Sequence, residues 1–269
     1  FEKELPGINA RFTPDGALVM VNSPLQDHPS AYRVLDATTG KELGRKVETY
    51  RTQLESPVIG SEGDRIFLLN ANHKIDVFDR NMKPLSTFEP QRNGVKARFS
   101  DDRRFVAFIW PAAGEMEIWD TQTQTMHSRV ITPHPDSDAT VFSPTGAYIT
   151  ARLSSTELAI YDTSDGTLVT TVQIKAEGWI EKPVFSADET LLAAQIDDRI
   201  AVLDIERGRT ITELKMDFRG YAPLTFGKTF VANGDALIAW SWDGPIRFEL
   251  MRDAQKVVEA TQKRASRCL

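Results

Sequence analysis

The feature that most restricts the fold of this chain is a repeat. Short segments ending in aspartate return every 41 to 43 residues: Tyr32-Arg33-Val34-Leu35-Asp36, Ile75-Asp76-Val77-Phe78-Asp79, Met116-Glu117-Ile118-Trp119-Asp120, Leu158-Ala159-Ile160-Tyr161-Asp162 and Ile200-Ala201-Val202-Leu203-Asp204. A weaker sixth copy is Ile246-Arg247-Phe248-Glu249. Such a period marks one supersecondary unit, used many times, that buries its apolar surface only against its neighbours.

A second signature precedes each copy. It reads Phe12-Thr13-Pro14-Asp15-Gly16, Ile59-Gly60-Ser61-Glu62-Gly63, Phe99-Ser100-Asp101-Asp102, Phe142-Ser143-Pro144-Thr145-Gly146 and Phe185-Ser186-Ala187-Asp188, with Val231-Ala232-Asn233-Gly234 as the degenerate member. Proline presets φ and glycine permits positive φ, so these clusters predict hairpin turns. Each turn is followed by a nearly unbroken apolar run: 17–21, 66–69, 105–110, 148–153, 191–196 and 237–242. Continuous hydrophobicity rich in β-branched and aromatic residues predicts strands covered on both faces. The aspartate-ending segments alternate more and read as partly exposed outer strands, after which Thr39-Gly40, Asp165-Gly166 or Arg207-Gly208 turns the chain into the next unit. One aspartate per unit points to turn capping rather than catalysis.

The unit is therefore four short strands in about 42 residues. It resembles the WD40 repeat, whose period is about 40 to 45 residues and which builds one blade of a β-propeller. Only Trp119-Asp120 carries the literal Trp-Asp pair, and no unit has the family's Gly-His pair, so the repeats are divergent. The resemblance implies an all-β, WD40-like propeller over residues 1–250, with six four-stranded blades at about 2–37, 41–79, 83–120, 124–162, 167–204 and 209–250. These either close alone or form part of a seven-bladed ring. Over residues 251–269, Met251, Ala254, Val257, Val258, Ala260 and Ala265 recur at helical spacing and predict a short amphipathic helix. The closing Arg267-Cys268-Leu269 is similar to the start of a Cys-Leu-Thr-Pro segment that follows the propeller in bacterial signalling proteins. There the propeller trails a TIR, caspase-like or NTPase domain, which implies a module of a larger bacterial signalling protein.

Composition narrows the partners. A net charge of -6 supplies no global positive field, which argues against nucleic acid and anionic membranes as partners. No apolar run is long enough to cross a bilayer, and Phe1-Glu2-Lys3-Glu4-Leu5-Pro6 does not form a signal peptide. A single cysteine, Cys268, rules out an internal disulfide framework, and the expected compartment is the cytoplasm.

The search for chemistry finds no catalytic set, cofactor motif or metal site. Phe226-Gly227-Lys228-Thr229 lacks the upstream glycine of a phosphate-binding loop, where Ala222 stands, and Gly60-Ser61-Glu62-Gly63 occupies a hairpin turn. His28, His73, His127 and His134 have no metal-ligand spacing, and the loop acids Asp27, Asp136, Asp138, Asp197 and Asp198 do not follow an EF-hand pattern. The expectation is a non-catalytic protein-interaction, sensor or scaffold module, because the connections that vary between units share one end of the strands and carry large aromatics. Trp110, Trp179, Trp242, His28 and His134 are the candidate partner-binding residues. Gap filling between blades is the competing role for the tryptophans. The competing functions are a propeller enzyme with a site in its central channel, and a lid on an upstream domain of the same polypeptide.

Overall fold

The structure is a computed structural model that describes residues 9–12, 16–23, 31–48, 58–59, 65–69, 74–88, 96–133, 135, 139–173, 180–196, 199–215, 228–231, 236–241 and 244–250. It is all-β, and its strands form six small antiparallel sheets among the described residues. Sheet I holds β1 (Asn9–Phe12), β2 (Leu18–Ser23), β3 (Ala31–Asp36) and β4 (Glu42–Glu48). Sheet II holds β5 (Val58–Ile59), β6 (Arg65–Leu69), β7 (Ile75–Asp79) and β8 (Pro84–Phe88). Sheet III holds β9 (Lys96–Phe99), β10 (Phe105–Trp110), β11 (Glu115–Asp120) and β12 (Thr125–Ile131). Sheet IV holds β13 (Tyr148–Arg152), β14 (Glu157–Asp162) and β15 (Leu168–Gln173). Sheet V holds β16 (Ile180–Phe185), β17 (Leu191–Ile196), β18 (Arg199–Asp204) and β19 (Arg209–Lys215). Sheet VI holds β20 (Lys228–Val231), β21 (Ala236–Ser241) and β22 (Gly244–Glu249). No helix among the described residues is long and apolar enough to cross a membrane.

Four sheets have the expected four strands, and sheets IV and VI have three among the described residues. In sheet IV the place of the first strand is taken by an irregular run. There the Thr150 hydroxyl donates to the Ala139 carbonyl (2.6 Å) and accepts from the Val141 amide (3.0 Å), leaving a single bridge, Phe142 to Ile149, where a ladder would stand. Residues 251–269, expected to be helical, lie outside the described residues.

The apolar runs form the second strand of every sheet, as the unbroken hydrophobicity predicts. In β10 every residue from Phe105 to Trp110 is buried. The aspartate-ending segments correct the sequence reading. They are the third strands and well buried, as in β11, β14 and β18, whereas the exposed edges are the fourth strands β8, β12, β15 and β19. The turn after each aspartate thus folds a fourth strand back onto the same sheet instead of opening the next unit. Sequence period and sheet are offset by one strand, so that 41–79 spans β4 to β7.

The chain divides into two compact units, Phe1–Ser137 with Thr145–Tyr148 and Asp162–Thr167, and Asp138–Pro144 with Ile149–Tyr161 and Leu168–Leu269. In the first, Leu18, Met20 and Val34 of sheet I pack against Ile66, Leu68 and Met82 of sheet II. Val106, Phe108 and Trp110 of sheet III pack against Phe67, Val77 and Phe88 of sheet II. In the second, Leu191, Ala193 and Val202 of sheet V pack against Leu237 of sheet VI. Burying each of the larger side chains contributes about 1.5 to 3 kcal/mol, which makes face-to-face sheet packing the main source of stability.

One contact recurs. The turn after a third strand lies against the fourth strand that precedes its sheet: Met82 against Gly44 of β4, Gly166 against the Arg129 carbonyl of β12, and Gly208 against Thr170 and Thr171 of β15. Glycine at 166 is needed twice over, for a φ of 78° and because a Cβ would overlap the Arg129 carbonyl. At Gly16, with φ 68°, a Cβ would meet open space. Gly16→Ala should therefore cost only backbone strain, about 1 kcal/mol. Gly166→Ala should cost about 3 kcal/mol, since strain adds to overlap with a fixed carbonyl. Urea unfolding of the two variants checks the order; equal losses would contradict the close approach.

Candidate functional site

Among the described residues the two ends of sheet III are built differently, and this asymmetry locates the candidate site. Successive antiparallel strands place the turns after strands one and three at one end and the remaining connections at the other.

The first end is closed by the repeat's own polar residues. Asp36 accepts from the Thr38 and Thr39 amides (3.0 and 2.7 Å), Asp79 from Asn81 and Lys83 (2.8 and 2.9 Å), and Asp120 from Gln122 and Thr123 (2.8 and 3.0 Å). Asp162 accepts from Ser164 (2.8 Å) and Asp204 from Arg207 (3.0 Å). In the other turn Ser100 donates to Asp102 (2.6 Å) and accepts from the Phe105 amide (2.9 Å), and Ser186 repeats this with Asp188 (2.6 Å) and Leu191 (2.9 Å). The two turns are also tied together: the residue after the aspartate donates its amide to a carbonyl just before the second strand. These bonds are Ala37 to Ala17, Thr121 to Arg104, Thr163 to Ala147 and Ile205 to Thr190, at 2.8 to 3.1 Å. Asp120 and its counterparts are turn caps, and their carboxylates are committed to backbone amides.

Their acidity follows. The Thr39 amide and then the Thr39 hydroxyl hold the Asp36 carboxyl below its ordinary range. At Asp120 and Asp204 burial pushes upward. At Asp120 the Thr123 and Gln122 amides and Arg104 outweigh it; at Asp204 the Arg207 side chain, 2.6 Å away, and the Arg207 amide do so. Groups held as anions in this way make poor general acids or bases near neutral pH.

The second end varies. Between β10 and β11 the chain makes a short 3-10 turn, Pro111–Ala113, closed by Gly114 at a φ of 66°. Pro111, Ala112 and Ala113 are exposed. Beneath them Trp110 is only 5% exposed, its ring 6.2 Å from that of Phe108, and its indole nitrogen has no hydrogen-bond partner among the described residues. The buried Thr132 hydroxyl, one residue beyond β12, has none either, although the Thr132 amide donates to the Gly114 carbonyl (2.9 Å). An unmet buried polar group costs about 1 to 3 kcal/mol, and the Ser86 hydroxyl on β8 is a third such group among the described residues.

Trp110 is thus the one candidate partner-binding residue among those described, and it lies in the core rather than at the surface. Trp179, Trp242, His28 and His134 lie outside the described residues, as do Gly60-Ser61-Glu62-Gly63 and the loop acids Asp27, Asp136, Asp138, Asp197 and Asp198. Lys228 opens strand β20, not the helix a phosphate-binding loop requires. His127 is exposed on β12, its ring 5.0 Å from Phe105. Among the described residues no three of His, Cys, Asp and Glu gather to hold a metal ion.

Sequence reasoning missed a buried ionic cluster. Glu117, 1% exposed, accepts from Trp119 Nε1 (3.0 Å) and from Arg129 (3.0 Å) across β11 and β12. Glu117 and Arg129 are direct cross-strand partners, so placing β12 in the sheet of β11 would have disclosed the pair. Both Glu117 oxygens are engaged inside the sheet, by Trp119 and Arg129, which marks the pair as a tie between strands. A cavity of about 620 Å³ in the second unit is lined by Leu191, Val202, Ile211, Thr212, Leu214 and Leu250, with Asp204 and Arg207 at its polar side. Its carboxylate is again a turn cap, engaged by Arg207.

No family model matches the chain, and no curated protein matches it.

The turn caps predict the pH response. Carboxyls with lowered folded-state pKa values add stability that is present above the unfolded value near about 3.9 and is lost as pH falls through the lower folded values. The urea midpoint should therefore drop below about pH 4, and Asp120→Asn should flatten the drop between about pH 4 and 2. An acid limb of unchanged slope in Asp120→Asn would show that this carboxylate gains nothing from its turn.

Proposed function

We propose that the chain is a WD40-like β-propeller, or most of one, that serves as a non-catalytic interaction or sensor module of a larger, cytoplasmic signalling protein, bacterial in type. Its partner is a protein or an upstream domain of the same polypeptide. Consecutive small antiparallel sheets, packed face to face and joined by one repeated turn-on-strand contact, support the fold reading. The repeated polar residues are spent on structure, so what is free to differ between units is the loop end.

The observation that carries the reading is the contrast between the two ends of sheet III. At one, Ser100, Asp102 and Asp120 are hydrogen-bonded within the sheet. At the other, Trp110 Nε1 and Thr132 Oγ1 lack partners among the described residues, beneath an exposed, apolar Pro111–Ala113 turn. A partner docking there gains apolar contact from the turn, while core aromatics hold the turn rigid and keep the entropy cost of binding low.

Trp110→Ala is a poor test, because emptying a buried aromatic position costs about 3 to 5 kcal/mol of stability. Ala112→Arg combined with Ala113→Glu is better, since both positions are exposed. Immobilised chain should capture a partner from lysate of the source cells; the double variant should lose at least about tenfold in affinity, a factor worth 1.4 kcal/mol, with an unchanged unfolding midpoint. Gln122→Arg, exposed at the closed end, should bind like the unaltered chain. Undiminished capture by the double variant would remove the loop end of sheet III as the site.

A further inference from the structure

The exposed apolar surface of sheet III extends past the Pro111–Ala113 turn. Ile131, at 68% the most exposed large hydrophobic residue among those described, pairs across the sheet with Glu115, the residue that follows Gly114. The Thr132 amide donates to the Gly114 carbonyl, and a Cβ at Gly114 would lie 3.1 Å from the Thr132 carbonyl oxygen and 3.9 Å from that of Pro133. Two separate stretches of chain therefore meet at this end of the sheet, and Pro111, Ala112, Ala113, Ile131 and Pro133 are all exposed there. None of the five carries a charge, in a chain where 26% of residues do. Glu115, the charged residue beside them, is only 8% exposed.

Three properties of this patch decide what can cover it. It is small: a stable interface with a second copy of the chain needs about 20 to 30 residues a side, so these five suit a short segment of a partner. It is uncharged, and a charged group pressed against it would lose its water without gaining a counter-ion. It also presents two proline rings, and prolines dock against aromatic side chains when aromatic-lined grooves recognise proline-rich segments. We propose, on the reading that the loop end of sheet III is the docking site, that this patch takes an uncharged segment of the partner protein bearing an aromatic side chain. The ring of that side chain packs against Pro111, Ile131 and Pro133.

The test titrates the full, isotope-labelled chain with N-acetyl-tryptophanamide as the aromatic probe and N-acetyl-leucinamide as the aliphatic one, and follows the backbone amides by NMR. The tryptophan probe should shift the amides of Ala112, Ala113, Gly114, Ile131 and Thr132 more than any others. It should also bind at least about fivefold more tightly than the leucine probe, a gap of the size that ring contacts supply. Because no charge takes part, its affinity should change less than about twofold between about 0.05 M and about 0.5 M salt. Ile131→Ser and Pro133→Ala should each weaken it at least about threefold. Ile211→Ser, at a position 52% exposed in the other compact unit, should leave it unchanged. A tryptophan probe that binds no better than the leucine probe, that shifts amides elsewhere, or that loses affinity steeply with salt would overturn the aromatic assignment while leaving the docking site standing. Undiminished partner capture by Ala112→Arg with Ala113→Glu would instead remove the docking site, and the assignment with it.

Discussion

Sheets I to V each turn the fourth strand back onto the third across four or five residues, which leaves amides inside the turn with no carbonyl to meet. Two things make this possible. The aspartate ending the third strand accepts those amides, and one residue three or four positions later takes a left-handed conformation: Gly40, Met82, Gln124, Gly166 or Gly208, at φ between 59° and 78°. The same residue lies against the preceding fourth strand at Gly166 and Gly208, and Met82 does so with its side chain. Turn and sheet junction are thus one device. Removing a carboxylate there unsettles both the hairpin and the packing of successive sheets.

This dual use explains why the polar residues most evident in the sequence have no chemistry to offer. The carboxyls of Asp36, Asp120 and Asp204 are held below their ordinary range by their turns, which makes them poor proton donors or acceptors near neutral pH. The loop end carries no such debt, and its connections differ in length, so evolution can alter it without touching the junctions. Repeat folds generally divide labour in this way, with insertions collecting on the binding face.

Much of the fold was legible in the sequence, and the failures have physical causes. The second strands announced themselves because burial on both faces demands unbroken hydrophobicity. The fourth strands did not. Thr125–Ile131 and Arg209–Lys215 are half-exposed edges with Thr, Arg and Glu interspersed, so their pattern is weak and they read as the start of the next period. That one-strand offset also hid Glu117 and Arg129, which meet only if β12 belongs with β11. Four left-handed positions were equally hidden, because Met82, Arg103, Gln124 and Glu189 carry no glycine signal; turn hydrogen bonds and sheet packing impose the conformation there. For Trp110 the sequence left anchor and gap filler open. Its ring is core, and what it offers the loop end is rigidity and an unmet indole nitrogen.

In sheet III the turn end is locked by Ser100 and Asp120 while the Pro111–Ala113 turn at the other end is exposed, and native-state hydrogen exchange measures this difference directly. Gln122 and Thr123 are exposed turn residues whose amides bond to Asp120, so surface position alone would make them exchange fast. Held by Asp120, they should exchange nearly as slowly as the β10 and β11 ladders, while Ala112 and Ala113 exchange orders of magnitude faster. Comparable fast exchange at both ends would contradict it, and would reduce the repeated aspartates to ordinary surface turns.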